Sequence, residues 1–91
     1  MKVGDVVVYV PAHADKNLLH KDSEYGIVTA VNDQYVHVRY LKTNGIPKNY
    51  QSGKALFKDL QNTGKATSPT NLTCVNGIIN SRAVEEALEL L

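Results

Sequence analysis

Two histidines and three acidic residues crowd into one polar stretch near the start of the chain, PAHADKNLLHKDSEYG (11–26). Imidazole nitrogens and carboxylate oxygens are ligands for divalent metals. Four of these residues are candidate ligands, with the spacing H-x6-H-x-D-x-E: His13, His20, Asp22 and Glu24. Zinc sites usually contain tighter pairs, about two to four residues apart, and often thiolates. The spacing therefore favours a loop whose polar side chains bond to its own backbone, and neither a metal nor another cofactor is predicted.

Catalysis would need a histidine, carboxylate or thiol beside a partner in a pocket. The candidate pairs are His13 with Asp15, His20 with Glu24, and Cys74 with His37. Cys74 stands in the apolar segment LTCVNGII (72–79), which is typical of a small buried residue rather than a nucleophile. The sequence contains no nucleophile elbow, glycine-rich phosphate loop or metalloprotease helix. We therefore predict that the chain is not an enzyme.

Rings and a guanidinium alternate with apolar residues along QYVHVRYL (34–41). Successive side chains of a strand point to opposite faces. If the two valines and Tyr40 face the core, then Tyr35, His37 and Arg39 face solvent. Aromatic rings stack on nucleobases and guanidinium groups bind phosphate. This strand therefore predicts a platform for an anionic, base-containing ligand, either a nucleotide or a nucleic acid.

The polar segment that follows adds positive charge to this platform. Residues 42–65 contain five lysines and one acid, a local charge of +4, although the net charge of the 91-residue chain is only +1. Solvated lysine loops and cross-strand packing of tyrosine and arginine are the competing interpretation. The predicted ligand-binding residues are Tyr9, Tyr35, His37, Arg39, Lys42, Lys48, Tyr50 and Lys54.

The residues that position these groups are rich in β-branched side chains. They indicate three strands: DVVVYV (5–10), EYGIVTAV (24–31) and QYVHVRYL (34–41). Asn32-Asp33 joins the last two strands as a hairpin. Gly26, inside a strand, indicates either a bulge or a close backbone approach. ALFKDL (55–60) indicates a fourth short strand that runs into a single turn.

The alternation of residues predicts which strand side chains form the core. On the second strand it places Gly26, Val28 and Ala30 inward, and Tyr25, Ile27 and Thr29 outward. On the first strand, Tyr9 joins the outward side chains if Val6, Val8 and Val10 are core.

The chain ends in its one helical pattern, SRAVEEALELL (81–91), after Asn80 or Ser81 as the cap. An apolar stripe at helical spacing consists of Val84, Ala87, Leu88 and Leu91. So short a helix is marginal in water by itself, so it must dock on the sheet or on another chain. The alternative function is therefore a protein–protein adaptor or inhibitor, or a homo-oligomer, in which Val84, Leu88 and Leu91 contact a host protein or a second copy.

Three segments carry a resemblance to a known family: VGDVVVYVPAHA, HKDSEYGIVTAVNDQYVHVRY and FKDL. Together they resemble small SH3-like barrel proteins encoded by bacteriophages and their hosts, and YGIVTAV resembles the KOW motif of RNA- and ribosome-associated barrels. The resemblance covers roughly residues 3–60. It implies a mainly β fold, a small antiparallel SH3-like barrel with one helical turn before its last strand. It also implies a phage-type accessory or counter-defence protein that captures a host nucleotide or blocks a nucleic-acid machine.

Domain boundaries and location follow from composition. Residues 1–60 are predicted as the barrel, 61–79 as a linker and possible last strand, and 80–91 as the amphipathic helix. One cysteine excludes an internal disulfide, and no segment has the length of a secretory or membrane-spanning signal. We therefore expect a cytoplasmic protein, in the host cell if phage-encoded, with no membrane partner.

Overall fold

The computed structural model describes residues 1–91 as a curled antiparallel sheet of five strands that carries two short α-helices. The order across the sheet is β4-β3-β2-β1-β5. A 3-10 turn at Pro69–Asn71 connects β4 to β5, which lie at opposite edges. The elements are β1 (Val6–Tyr9), β2 (Glu24–Val31), β3 (Val36–Tyr40), α1 (Gly53–Asp59), β4 (Lys65–Thr67), β5 (Leu72–Cys74) and α2 (Ser81–Glu89). The predicted mainly β fold with a C-terminal helix is confirmed.

The central hairpin of β2 and β3 forms where the sequence predicts it. The Asn32 side-chain oxygen accepts hydrogen bonds from the backbone N–H groups of Gln34 and Tyr35, both at 2.8 Å, and closes the turn. The pairing shifts by one residue between Val28 and Ala30. The irregularity in β2 therefore lies at Thr29 and not at Gly26.

Both faces of the sheet are buried at its centre. The helix-side layer packs the sheet against α1 and α2 and consists of Val6, Val8, Tyr25, Ile27, Leu41, Tyr50, Leu56, Leu60, Ile79, Ala83, Val84 and Ala87. The inner layer lies on the opposite face and consists of Val7, Val28, Val36, Val38, Tyr40 and Leu72.

The prediction that Tyr25 and Ile27 face solvent is therefore wrong. Each is only 1% exposed, because the helices and the first loop cover their face of the sheet. The Tyr25 hydroxyl donates a hydrogen bond to the Leu18 carbonyl of that loop at 2.7 Å. Alternation identified the two faces of β2 correctly up to Val28, but it assigned solvent to a face that the rest of the chain covers. The prediction that Ala30 points inward is also wrong, because the irregularity at Thr29 breaks the alternation and Ala30 is exposed.

Residues 55–60 were predicted as a strand that runs into a turn, but residues 55–59 belong to α1, and only Leu60, just after it, pairs as an isolated bridge with Leu41. The Ser52 hydroxyl caps this helix by accepting a hydrogen bond from the Ala55 N–H at 3.3 Å. Leu56 and Leu60 lie four positions apart and both enter the helix-side layer. In so short a segment, apolar residues at this spacing fit a helix or a strand equally well.

Residues 61–71, predicted as a linker, contain β4 and the 3-10 turn. Lys65 pairs with Val38 and Thr67 pairs with Val36, so this polar segment forms an edge strand of the sheet. An edge strand needs backbone partners on one side only, and its side chains here are too polar to give a strand pattern.

The C-terminal helix α2 docks on the chain itself. Asn80 caps it, since its side-chain oxygen accepts a hydrogen bond from the Arg82 N–H at 2.9 Å. Ala83, Val84 and Ala87 are buried, so Val84 is part of the core and is not a free partner contact. Neither α-helix of the chain combines the length and apolar character that spanning a membrane requires.

A buried carboxylate ties the N-terminus to the segment after β5. Asp5 is only 6% exposed, and its Oδ2 accepts a hydrogen bond from the Lys2 N–H at 3.0 Å. Its Oδ1 accepts one from the Asn76 amide at 3.2 Å, and the Asn76 oxygen accepts one from the Val6 N–H at 2.7 Å. Burial raises the pKa of Asp5, but these hydrogen bonds and the Lys2 charge outweigh it and leave the pKa below 3.8.

Asp5 is therefore expected to make stability pH-dependent in the acid range. A carboxyl whose folded pKa is depressed stabilises the fold above its unfolded pKa, near 3.8, and this contribution is lost as pH falls through the folded pKa. At pH 7, Asp5→Asn should lower the free energy of unfolding in urea by about 1–3 kcal/mol. The deficit should shrink below pH 3.8, whereas Asp33→Asn, at the exposed hairpin turn, should change little at any pH. An equal deficit at pH 7 and pH 2 would contradict this role.

Candidate ligand-binding groove

An open groove of about 520 Å³ lies between the end of α2 and the β2–β3 hairpin. Its floor consists of Thr29, Ala30, His37 and Arg39. Small-molecule sites in proteins commonly have volumes of about 300–1,000 Å³, so the groove has the size of a ligand site.

The register of the sheet places His37 and Arg39 on this floor. His37 pairs with Ala30, and Arg39 pairs with Ile27, so both lie on the face of the helix-side layer. The predicted alternation of β3 is present, since Val36, Val38 and Tyr40 are buried while Tyr35, His37 and Arg39 are partly exposed. The rings of Tyr35 and His37 meet edge to face, with centroids 5.3 Å apart.

Arg39 has unused hydrogen-bonding capacity. Its Nη1 donates one long hydrogen bond, 3.5 Å, to the Gln61 carbonyl. The ion pairs of the chain are His13 and His20 with Asp22, Lys48 with Asp59, and Arg82 with Glu86, so Arg39 has no carboxylate partner. A guanidinium presents five N–H donors in a planar fork that matches phosphate and carboxylate groups. The floor of the groove therefore carries an unpaired positive charge.

The wall of the groove is apolar and comes from α2 and the N-terminus. Leu88 and Leu91 line it together with Val3, which is 52% exposed. Leu88 and Leu91 were predicted as partner contacts, and His37 and Arg39 as ligand contacts. The structure brings both pairs into one site.

Tyr9 does not join this site. It follows Val8 on β1 and packs with the inner layer. Arg39 lies on the opposite face, because it pairs with Ile27, which in turn pairs with Val6. Tyr9 instead lines a separate polar cleft of about 380 Å³ with Glu24, Tyr40 and Lys65.

Tyr50 is not available for stacking either, because it is only 7% exposed. Its hydroxyl donates a hydrogen bond to Asp59 at 2.7 Å, and burial together with this carboxylate raises the pKa of the phenol well above its ordinary value of 10.0. Tyr50 is therefore a structural residue of the helix-side layer.

The predicted lysines do not line the groove. Lys48 Nζ lies 3.9 Å from Asp59, and Lys42 Nζ donates a hydrogen bond to the Lys58 carbonyl at 3.1 Å. Lys54 is exposed on α1. Sequence analysis in turn missed Val3 and Gly64 as lining residues. Gly64 lies in the segment predicted as a linker, so no pattern indicated its position beside His37.

The candidate nucleophile and base are not neighbours. Cys74 pairs with Val7 and faces the inner side, whereas His37 lies on the opposite face. Cys74 is exposed, so the prediction that it is a buried residue is wrong, and its thiol donates to Asp5 Oδ2 at 3.7 Å. Partial desolvation and the Asp5 carboxylate raise the pKa of this thiol, which disfavours the reactive thiolate.

Three of the four candidate metal ligands in the first loop do come together. His13, His20 and Asp22 each offer a ligand atom, and these atoms all lie within 4.8 Å of one another. Glu24 lies instead at the polar cleft beside Tyr9. His13 contacts Asp22 in place of the predicted Asp15, with Nε2 and Oδ2 2.8 Å apart.

The fold and the groove define a small antiparallel β protein whose own C-terminal helix forms one wall of an open, partly cationic site. Comparisons with family models, curated proteins and solved structures find no match to this chain.

Proposed function

We propose that the chain is a non-enzymatic binding module that holds a nucleotide or a short nucleic-acid segment in the groove of β3 and α2. The observation that carries this proposal is the unpaired Arg39 guanidinium on the groove floor with His37, whose ring Tyr35 meets edge to face from outside the groove lining. A cation alone would suit any anion. The adjoining rings and apolar wall favour an anion that also carries a planar apolar group.

In this mode Arg39 binds a phosphate and the aromatic pair binds the base. Charge-assisted hydrogen bonds from a guanidinium to phosphate are among the strong ones in proteins. Stacking of a base on an aromatic side chain contributes about 1–3 kcal/mol. Leu88 and Leu91 cover the other side of the base, and the Thr29 hydroxyl lies within the same groove.

We further propose that the sheet is an SH3-like barrel and that the chain is a phage-type accessory or counter-defence protein of the host cytoplasm. The strand order β4-β3-β2-β1-β5, with one 3-10 turn before the last strand, supports the barrel. That turn lies at Pro69–Asn71 and not at FKDL, which belongs to an insertion containing α1. The phage-type role rests on the resemblance of residues 3–60.

Replacement of Arg39 tests the ligand-binding proposal. Arg39→Gln is expected to weaken binding of ATP or fluorescent oligothymidine at least tenfold, because it removes the only positive charge on the groove floor. Fluorescence anisotropy and calorimetry measure this change. Wild-type affinity for the oligonucleotide should also fall as salt rises, because phosphate contacts release counterions.

Arg82→Gln is the matched control. Arg82 is exposed on α2, forms an ion pair with Glu86 and does not line the groove, so its loss should leave binding unchanged. Equal effects of the two replacements, or no binding of either ligand by the wild type, would rule the proposal out.

A second candidate function is a protein–protein adaptor or inhibitor that contacts a host protein or a second copy of this chain. It is favoured by apolar side chains left exposed around the end of α2: Val3, Leu90 and Leu91. Contacts of this kind depend little on salt. Leu90 is 47% exposed and does not line the groove, so Leu90→Asp separates the two candidates. If Leu90→Asp converts an oligomer into a monomer in native mass spectrometry while the wild type fails to bind ATP, this candidate gains over the first.

A further inference from the structure

We propose that the first loop is a binding site for one divalent transition metal, with His13, His20 and Asp22 as ligands. The three residues come from two short segments, 12–14 and 20–22, that the loop folds against each other. His13 Nε2 lies 2.8 Å from Asp22 Oδ2, and His20 Nδ1 lies 3.9 Å from the same oxygen. The imidazole rings of the two histidines meet edge to face at 5.4 Å.

These distances are close to what a metal requires. In a tetrahedral zinc site with bonds of about 2.0–2.1 Å, neighbouring ligand atoms lie about 3.3 Å apart. The His13 contact must therefore lengthen by about half an ångström, and the His20 contact must shorten by a similar amount. The ligand atoms of the cluster lie up to 4.8 Å apart, so the widest separation must also close by up to about 1.5 Å. Rotation of the exposed His13 side chain supplies this movement.

The loop backbone holds the ligands in place before a metal binds. Successive turns are closed by backbone hydrogen bonds from Asn17 to Ala14, from His20 to Asn17 and from Ser23 to His20, at 3.0–3.1 Å. Ala14 and Ser23 are buried and anchor the two ends of the loop. Such a site loses little conformational entropy on binding.

The ligand atoms are chemically suited to accept a metal. The His20 Nδ1 accepts a hydrogen bond from the Asp22 N–H at 3.0 Å, so this nitrogen carries a lone pair and no hydrogen. On metal binding, the lone pair coordinates the metal in place of this hydrogen bond. The Asp22 carboxylate can only accept, so His13 Nε2 carries the hydrogen of their contact, and metal binding sends that proton to solvent or to the other ring nitrogen.

Zn²⁺ fits this ligand set best. Two imidazoles and one carboxylate suit borderline metals, whereas Mg²⁺ and Ca²⁺ prefer oxygen ligands alone. Three protein ligands leave a fourth position, and the 63% exposure of the His13 side chain opens that position to solvent. The fourth ligand is a water or a group from a bound partner.

Titration of the full chain with Zn²⁺ after dialysis against a chelator tests this site. We expect one Zn²⁺ per chain by calorimetry, and each of His13→Ala, His20→Ala and Asp22→Asn to weaken binding at least about tenfold. The melting temperature should rise with Zn²⁺ in the wild type and not in these variants. In NMR spectra of the wild type, the ring resonances of His13 and His20 should shift.

His37→Ala is the matched control, because His37 is the third histidine of the chain and lies in the groove instead. Asp22→Asn retains an oxygen that accepts the His13 hydrogen bond, so it separates loss of the metal from collapse of the loop. The proposal is overturned if His37→Ala weakens Zn²⁺ binding as much as the loop variants do. It is equally overturned if Zn²⁺ leaves the wild-type melting temperature and the His13 and His20 ring resonances unchanged.

Discussion

Gly26→Ala is expected to lower the free energy of unfolding by about 3 kcal/mol, the upper end of the usual range for overpacking a core. A Cβ atom at this position would lie 2.6 Å from the Arg39 carbonyl oxygen and 2.9 Å from the Tyr40 Cα. These are backbone atoms of the neighbouring strand, so no side-chain rotation relieves the contact. To accommodate the added methyl group, the backbones of β2 and β3 must move apart at Gly26, in the middle of the sheet that separates the two core layers.

The loss is large for a chain of this size. A domain of 91 residues has a total stability of roughly 5–14 kcal/mol. The melting temperature should therefore fall by roughly 12–24 °C, as measured by circular dichroism or calorimetry.

Gly64→Ala is the control for this experiment. Its added Cβ would lie 3.5 Å or more from any neighbouring atom, so stability should change by less than about 0.5 kcal/mol or rise slightly. Equal melting temperatures for Gly26→Ala and the wild type would show that the two strands tolerate separation, and the close approach would then have no structural importance.

Gly26 also illustrates what the sequence predicts well. A glycine inside a β-branched run indicated either a bulge or a close approach, and the close approach is what the structure has. The alternation of β3 indicated which of its side chains are buried. Both signals arise between neighbouring strands. The apolar stripe of α2 was equally clear, since a short helix must bury one face to be stable.

The missed features depend on contacts between distant segments. Whether Tyr25 meets solvent depends on the helices and loop that cover its face, and β2 itself carries no sign of them. Edge strand β4 is formed by backbone pairing with β3, so its polar sequence resembles a linker. Leu56 and Leu60 fit either secondary structure until a packing partner is known.

The candidate sites were likewise predicted only as far as neighbouring residues determine them. Alternation along β3 placed His37 and Arg39 on one face, but the groove exists only because α2 ends beside them. The spacing of His13, His20 and Asp22 argued against a metal, because local spacing does not show that the loop returns on itself. Tyr50 looked like a loop residue, yet its hydroxyl reaches Asp59 from within the core.

The contact between α1 and α2 is expected to control both stability and ligand binding through Gly53. A Cβ atom there would lie 2.6 Å from the Ala87 nitrogen and from the Glu86 carbonyl carbon, both in the backbone of α2. The Gly53 N–H also donates a hydrogen bond to Glu86 Oε1 at 2.8 Å. Gly53→Ala should therefore push α2 away from α1 and lower the free energy of unfolding by about 2–3 kcal/mol.

The displacement should also weaken the ligand site, because α2 carries Leu88 of the groove wall and positions Leu91, which follows its end. Gly77→Ala is the matched control: its neighbourhood is open, and only the left-handed backbone, φ +100°, opposes alanine. It should lose about 1 kcal/mol of stability and retain ATP affinity, whereas Gly53→Ala should lose affinity under conditions where it is still fully folded. Unchanged ATP affinity in folded Gly53→Ala would mean that α2 does not form a wall of the ligand-binding site. Arg39 would then have to bind the ligand without a contribution from α2.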